Sequence, residues 1–172
     1  MITLNIHDIR KQPGLSMIWE YEDTPDIAEV ELADKVSATL KLTNVSSRIL
    51  VEGSIRTAVK LECARCLADY VCPLEFSFVE EFLPEGSPEL VEKEKLDWED
   101  LNLFSFSDDI LDIYEMIRQN IITALPVKPL CSEGCKGLCP VCGKSRNTET
   151  CSCPVEEDED EGFSTPGFIN SN

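Results

Sequence analysis

Hydrophobic and polar residues alternate with a period of two over much of the first hundred positions. Val36, Ala38, Leu40 and Leu42 share one parity, and Ser37, Thr39 and Lys41 take the other. That alternation predicts a half-buried strand. A second run puts Ile49, Val51, Ile55, Val59 and Leu61 on one parity. Its polar parity holds Glu52, Ser54, Arg56 and Lys60, interrupted by Leu50 and Ala58. A third run turns Cys72, Leu74, Phe76 and Phe78 inward and ends near Pro84, while Ile2–Ile6 and Ser16–Tyr21 read as shorter strands. One-sided alternation in consecutive segments predicts an antiparallel meander or a small barrel rather than a parallel sheet.

The pattern changes after Pro84. The acidic stretch from Pro84 to Asp100, with Gly86 and Pro88, predicts a loop. Ile110, Ile113, Tyr114, Ile117 and Ile121 then follow helical spacing, with Ser107 as cap and Asp108 and Asp109 in the first turn. Pro126 ends this helix, predicted near residues 108–125 and packed against the sheet. The fold expected is α+β, mainly antiparallel β with one long helix and a small C-terminal zinc-binding module. Its boundaries fall at 1–126 for the β domain, 127–153 for the module and 154–172 for an acidic disordered tail.

Charge narrows the partners. The formal net charge is −18, and Glu156, Glu157, Asp158, Glu159, Asp160 and Glu161 form one run. A surface this acidic repels phosphate backbones and attracts basic partners, so a general nucleic-acid binder is not expected, though a basic patch can still make local contacts. MITLNIHDIR carries no secretory signal pattern, and no apolar run approaches the roughly 18 residues of a membrane span. A cytoplasmic protein without a membrane partner is expected.

That compartment bears on the cysteines. Six of the nine, Cys131, Cys135, Cys139, Cys142, Cys151 and Cys153, fall within PLCSEGCKGLCPVCGKSRNTETCSC. An odd count in a reducing compartment favours metal over disulfides. Zinc takes four thiolates in a tetrahedron, and Cys139-Pro-Val-Cys142-Gly143 supplies two from one tight turn. Six candidates exceed four positions. The set expected centres on Cys139 and Cys142, completed by Cys135 and by Cys151 or Cys153, around one structural Zn²⁺. Cys63-Ala-Arg-Cys66 sits at or near a hairpin tip and admits three readings: half of a metal site completed from the C-terminal cluster, a redox dithiol, or packing around a turn with Arg65 as the functional group. Cys72 reads as a buried apolar residue.

Catalysis finds little support. His7 is the single histidine, Gly143-Lys144-Ser145 lacks the glycine spacing and leading strand of a phosphate-binding loop, and the carboxylates cluster in solvated runs. No small-molecule substrate is expected.

Leu61-Glu62-Cys63-Ala64-Arg65-Cys66, then Ile121-Ile122-Thr123-Ala124-Leu125-Pro126-Val127-Lys128-Pro129-Leu130-Cys131, then Cys135-Lys136-Gly137-Leu138-Cys139-Pro140-Val141-Cys142-Gly143, with Asn147 and Cys151-Ser152-Cys153, resemble the YceD-like family, named for accumulation of large-subunit ribosomal RNA. The resemblance covers roughly residues 49 to 153. It implies a non-enzymatic factor in ribosome biogenesis that supports accumulation or processing of 23S rRNA and assembly of the large subunit. It also implies that Cys63, Arg65 and Cys66 form the family's CxRC signature and that the C-terminal cysteines form an optional zinc-like module. Because some members keep the signature without the module, the two need not form one site. Relatives commonly end in a basic segment, which the acidic run and GFSTPGFINSN replace here.

The implied partners are the large-subunit rRNA precursor, a basic large-subunit ribosomal protein, or both. Candidate contacts are Cys63, Arg65, Cys66, Lys128, Lys136, Lys144 and Arg146. The four module cations outnumber Glu133 and Glu149 by two, and a zinc tetrathiolate of charge −2 cancels that excess. Two alternatives stand beside this: a thiol-redox or metal-handling protein using Cys63 and Cys66, and a zinc-stabilised module that escorts a basic partner.

Overall fold

The computed structural model describes residues 2–88 and 103–154. Strands β2 (Ser16–Asp23), β3 (Val36–Val45), β4 (Arg48–Glu62) and β5 (Asp69–Pro84) form an antiparallel meander, each paired with the next. Strand β6 (Leu103–Phe106) completes a five-stranded sheet in the order β2-β3-β4-β5-β6, and it runs parallel to β5. The meander expected from the alternation is therefore present, with one parallel neighbour that periodicity does not reveal. A second, two-stranded sheet pairs β1 (Thr3–Asn5) with β7 (Ile110–Asp112). Helix α1 (His7–Arg10) is a single turn, and α2 (Ile113–Ala124) is the main helix.

The inward parities form the core. Val36, Ala38, Leu40 and Leu42 of β3 are buried, as are Ile49, Val51, Ile55 and Val59 of β4 and Leu74 and Phe82 of β5. Cys72 is half-buried and packs on the edge of this core with Phe76 and Phe78. Gly53 lies on the inward parity of β4, where a Cβ would stand 2.4 Å from Phe78 Cζ and 2.8 Å from Leu40 Cδ2. Its missing side chain is the space the Phe78 ring occupies. Buried Asn44 donates to the carbonyls of Ile9 and Gln12 at 2.9 and 3.3 Å, tying the N-terminal turn to β3.

The helix starts later than its apolar stripe suggests. Ile110 belongs to β7 and is exposed, while Asp108 and Asp109 take left-handed φ values of 52° and 58° in the turn before it. The cap is Asp112 rather than Ser107: its side chain accepts from the N–H groups of Tyr114 (3.0 Å) and Glu115 (3.4 Å). Pairing of Ile110–Asp112 with β1 satisfies backbone groups that a longer helix would have used internally. The result is a helix of 12 residues whose buried face is Ile113, Met116, Ile117 and Ile121. Leu125 leaves it in an extended conformation, as a residue before proline prefers. The expected loop after Pro88 and the expected acidic tail lie outside the described residues.

Candidate metal centre

Strand β4 stays paired with β5 as far as Glu62 and Asp69, beyond Arg56, its last residue paired with β3, which carries the tip of the β4–β5 hairpin past β3. At that tip Cys63 N–H donates to Ala68 O (3.0 Å) and Leu67 N–H to Cys63 O (2.9 Å), closing a turn with Leu67 at φ 56°. The segment leaving α2 docks on this turn. Ala64 N–H donates to Pro129 O at 2.8 Å, Leu138 N–H to Arg65 O at 3.2 Å, and Arg65 Nη1 to Cys135 O at 2.9 Å. Gly137, at φ 71°, lies where a Cβ would come within 3.0 Å of the Arg65 carbonyl oxygen, so close approach and backbone conformation both call for glycine.

This docking gathers eight cysteines into two groups of four. Cys63, Cys66, Cys131 and Cys135 form one, and Cys139, Cys142, Cys151 and Cys153 the other; within each, all sulfurs lie within 4.8 Å of one another. Cys63 Sγ is 3.7 Å from Cys135 Sγ, and Cys66 Sγ is 3.7 Å from Cys131 Sγ. A disulfide needs about 2.0 Å. A tetrahedron with metal–sulfur bonds of about 2.3 Å has edges of about 3.8 Å, and these two sulfur pairs match such edges. In the second group Gly143, at φ 72°, donates its N–H to Cys139 O at 2.9 Å, and Cys139 N–H donates to Lys144 O at 2.8 Å. Both donor sets consist wholly of soft thiolates, which suit zinc and leave no open position for water.

Fixed N–H dipoles prepare the sulfurs. The Cys63 thiol is held down to about 6 by the backbone N–H of Cys131, helped by those of Arg65 and Cys66. Cys139 is likewise held at about 6 by the N–H groups of Cys142 and Val141. Hydrogen bonds between sulfurs have the opposite effect on the neighbours, which keep their protons as S–H donors. Cys131 is pushed up to about 12, chiefly by Cys135 and then Cys66, and Cys153 to about 12, chiefly by Cys142. A divalent cation bound by such a group would displace those shared protons.

The geometry sorts the residues singled out in the sequence. Cys135 does not join Cys139 and Cys142; it belongs with the hairpin pair, so the single set centred on Cys139 gives way to two. The signature pair and the C-terminal module, which the family pattern allows to be separate, share a group in this chain. Spacing could not show this, because Cys63 and Cys135 are 72 positions apart. Arg65 is exposed but spends one guanidinium N–H on the Cys135 carbonyl, so part of its role is to hold the docked loop. Asn147 has a role that no spacing rule signals: its Oδ1 accepts from Lys136 N–H at 2.8 Å and its Nδ2 donates to Cys135 Sγ at 3.3 Å.

The cations divide by location, with Lys144 the one exception. Among the described residues, Arg10, Lys11, Lys35, Lys41, Arg48, Arg56, Lys60 and Arg118 each form an ion pair with a carboxylate. On the docked segment Lys144 also forms an ion pair, 3.6 Å from Glu149. Arg65, Lys128, Lys136 and Arg146 are in no ion pair among these residues, and all four lie on the hairpin tip or the segment docked to it.

The family described as "Large ribosomal RNA subunit accumulation protein YceD" matches residues 51–165, a span that takes in both four-cysteine groups. The chain belongs to the YceD family. It is 26% identical to the Arabidopsis thaliana "Large ribosomal RNA subunit accumulation protein YCED homolog 1, chloroplastic" over 91% of this chain and 53% of that relative. It is 28% identical to the Zea mays homologue of the same name over 75% of this chain and 51% of the relative. An uncharacterised protein of Mycobacterium bovis is 25% identical over 83% of this chain and 69% of its own length. This YceD-family chain thus spans about half the length of the plant relatives it matches. No solved structure matches it. Among the described residues no helix is long and apolar enough to cross a membrane.

Proposed function

We propose that this YceD-family chain is a non-enzymatic factor that supports accumulation of large-subunit ribosomal RNA. It contacts the rRNA precursor through the hairpin tip and the docked cysteine segment. The observation that carries the reading is the distribution of ion pairs: every described cation of the β body is neutralised by a carboxylate, and the unpaired ones gather on the cysteine-bearing face. A phosphate backbone is attracted to that face and repelled by the rest of the chain, so the acidic body restricts where RNA docks. Zn²⁺ held by Cys63, Cys66, Cys131 and Cys135, and a second ion held by Cys139, Cys142, Cys151 and Cys153, supply the rigidity that a glycine- and serine-rich segment lacks. The cations then keep fixed positions on the surface.

Burial argues against a thiol-redox role for the signature pair. Cys63 is 0% exposed and Cys66 8%, which leaves no approach for a substrate disulfide. The acidic body does suit a basic ribosomal protein as a second partner, with the same metal-held segment as scaffold.

The test is crosslinking and recovery of the full chain from cells, reading RNA and protein together, beside a variant carrying Lys128→Gln, Lys136→Gln and Arg146→Gln. Large-subunit rRNA should be enriched by the wild type and lost from the variant. Recovery of ribosomal proteins without rRNA would move the reading to escort of a basic partner. Recovery of neither, with normal large-subunit levels in a deletion strain, would overturn the ribosomal role.

A further inference from the structure

Asn147 belongs, by sequence, to the loop between Cys142 and Cys151, inside the second four-cysteine group. By hydrogen bonding it belongs to the first group, through Cys135 Sγ. Its amide orientation is set by chemistry: the Lys136 backbone N–H can only donate, so Oδ1 faces it and Nδ2 is left to face the sulfur. From the geometry we propose that the two groups bind metal cooperatively, with Asn147 as the residue that couples them. The inference rests on the metal reading above.

The physical chain is short. A metal at Cys139, Cys142, Cys151 and Cys153 closes a loop of small and polar residues that has little apolar surface with which to order itself. Part of the loop is also tied back toward the first group: Arg146 N–H donates to Gly137 O at 2.9 Å, and Leu138 bridges Ser145. Ordering the loop therefore sets the Asn147 amide against Cys135 Sγ. An N–H donor stabilises the thiolate form, which is the form that ligates, and such outer partners of metal ligands typically govern affinity by about 10–100-fold. Linkage makes the effect reciprocal: a metal at the first group holds Cys135, Cys135 holds Asn147, and Asn147 holds the loop of the second. Gly137 and the Arg65 contacts supply a rigid seat, so the coupling is carried by packed groups rather than a loose tether.

Titration of the reduced, metal-free full chain with Co²⁺ and then Zn²⁺, read by thiolate-to-cobalt absorption and by competition with a chromophoric chelator, tests this. Wild type should take two ions per chain. Cys151→Ser with Cys153→Ser should leave one ion, at the first group, bound about 10–100-fold more weakly than in wild type. Asn147→Ala in the otherwise intact chain should weaken the first group by a similar factor, and should add little when combined with the two serine changes. Asn147→Asp keeps an acceptor for Lys136 N–H but loses the donor to sulfur. It should weaken the first group at least as much as alanine and move its charge-transfer band to lower energy, which a purely structural anchor would not do. Equal affinity of the first group with and without the second, or additive losses in the combined variant, would overturn the coupling while leaving two metals bound. Binding of fewer than two ions by wild type would overturn the metal reading itself, and the coupling with it.

Discussion

Salt dependence offers the sharpest measure of the surface proposed to face RNA. Arg65, Lys128, Lys136 and Arg146 are the described cations outside any ion pair. If each neutralises one phosphate, log K for a single-stranded rRNA segment should fall with log [salt] at a slope of about 0.7 per contact, or about 3 for four contacts. For a duplex segment the corresponding slope is about 3.6. A fourfold rise from about 50 to 200 mM salt should then weaken binding by about 50–150-fold. Repulsion from the acidic body is relieved by the same salt, so these values are upper limits. Replacing Lys128, Lys136 and Arg146 with glutamine leaves Arg65 to hold the Cys135 loop, and should bring the slope below about 1. All three side chains are exposed, so stability should change by no more than about 0.5 kcal/mol. Fluorescence anisotropy with a labelled large-subunit rRNA fragment, repeated across the salt series, reads both numbers. A wild-type slope near zero, or one that the triple variant leaves unchanged, refutes the assignment of this face.

Other consequences concern metal, packing and pH. Zinc content should be two per chain and fall to one with Cys63→Ser plus Cys66→Ser, and X-ray absorption should report four sulfurs at about 2.3 Å; mixed nitrogen or oxygen ligation would contradict the grouping. Gly53→Ala forces a methyl into the space of the Phe78 ring and should cost about 1–3 kcal/mol in urea unfolding; an unchanged midpoint would show that the ring is free to move. Glu80 lies on the inward face of β5 with Oε1 accepting from Asn120 Nδ2 at 3.0 Å and Oε2 without a partner, and burial raises its pKa. A carboxyl whose folded pKa is raised binds its proton more tightly in the native state. Its stabilising effect is therefore full below the ordinary carboxyl pKa and is lost as pH climbs through the raised value. Glu80→Gln should stabilise the chain at neutral pH and show progressively less gain as pH falls toward 4; a pH-independent difference would contradict the burial argument.

The strands were legible because alternation is a local property. The parities of Val36–Leu42 and of Ile49–Val59 predict which apolar side chains turn inward without reference to any other segment, and those residues are buried, while Leu61 at the end of the second run is half-buried. The helix stripe was legible in its second half, where Ile113, Ile117 and Ile121 are buried, and misleading in its first. Pairing of Ile110–Asp112 with β1 is a contact across more than a hundred positions and leaves no trace in helical periodicity. The parallel placement of β6 beside β5 is hidden for the same reason.

At the candidate metal centre the division runs between donor type and donor partnership. Two-residue spacing identifies Cys63 with Cys66 and Cys139 with Cys142 as paired donors, because a tight turn brings both sulfurs to one point wherever it occurs. Strand faces, thiolate chemistry and overall charge were therefore readable from residue order alone. Long-range packing alone shows that Cys131 and Cys135 complete the hairpin pair, that Asn147 spans the two groups, and that the described body cations all meet carboxylates while Arg65, Lys128, Lys136 and Arg146 do not. Lys41 meets Glu52, and Arg56 meets Glu75, because strand register sets them opposite each other. Register and docking are long-range choices made by the whole core, and no local pattern of residues encodes them.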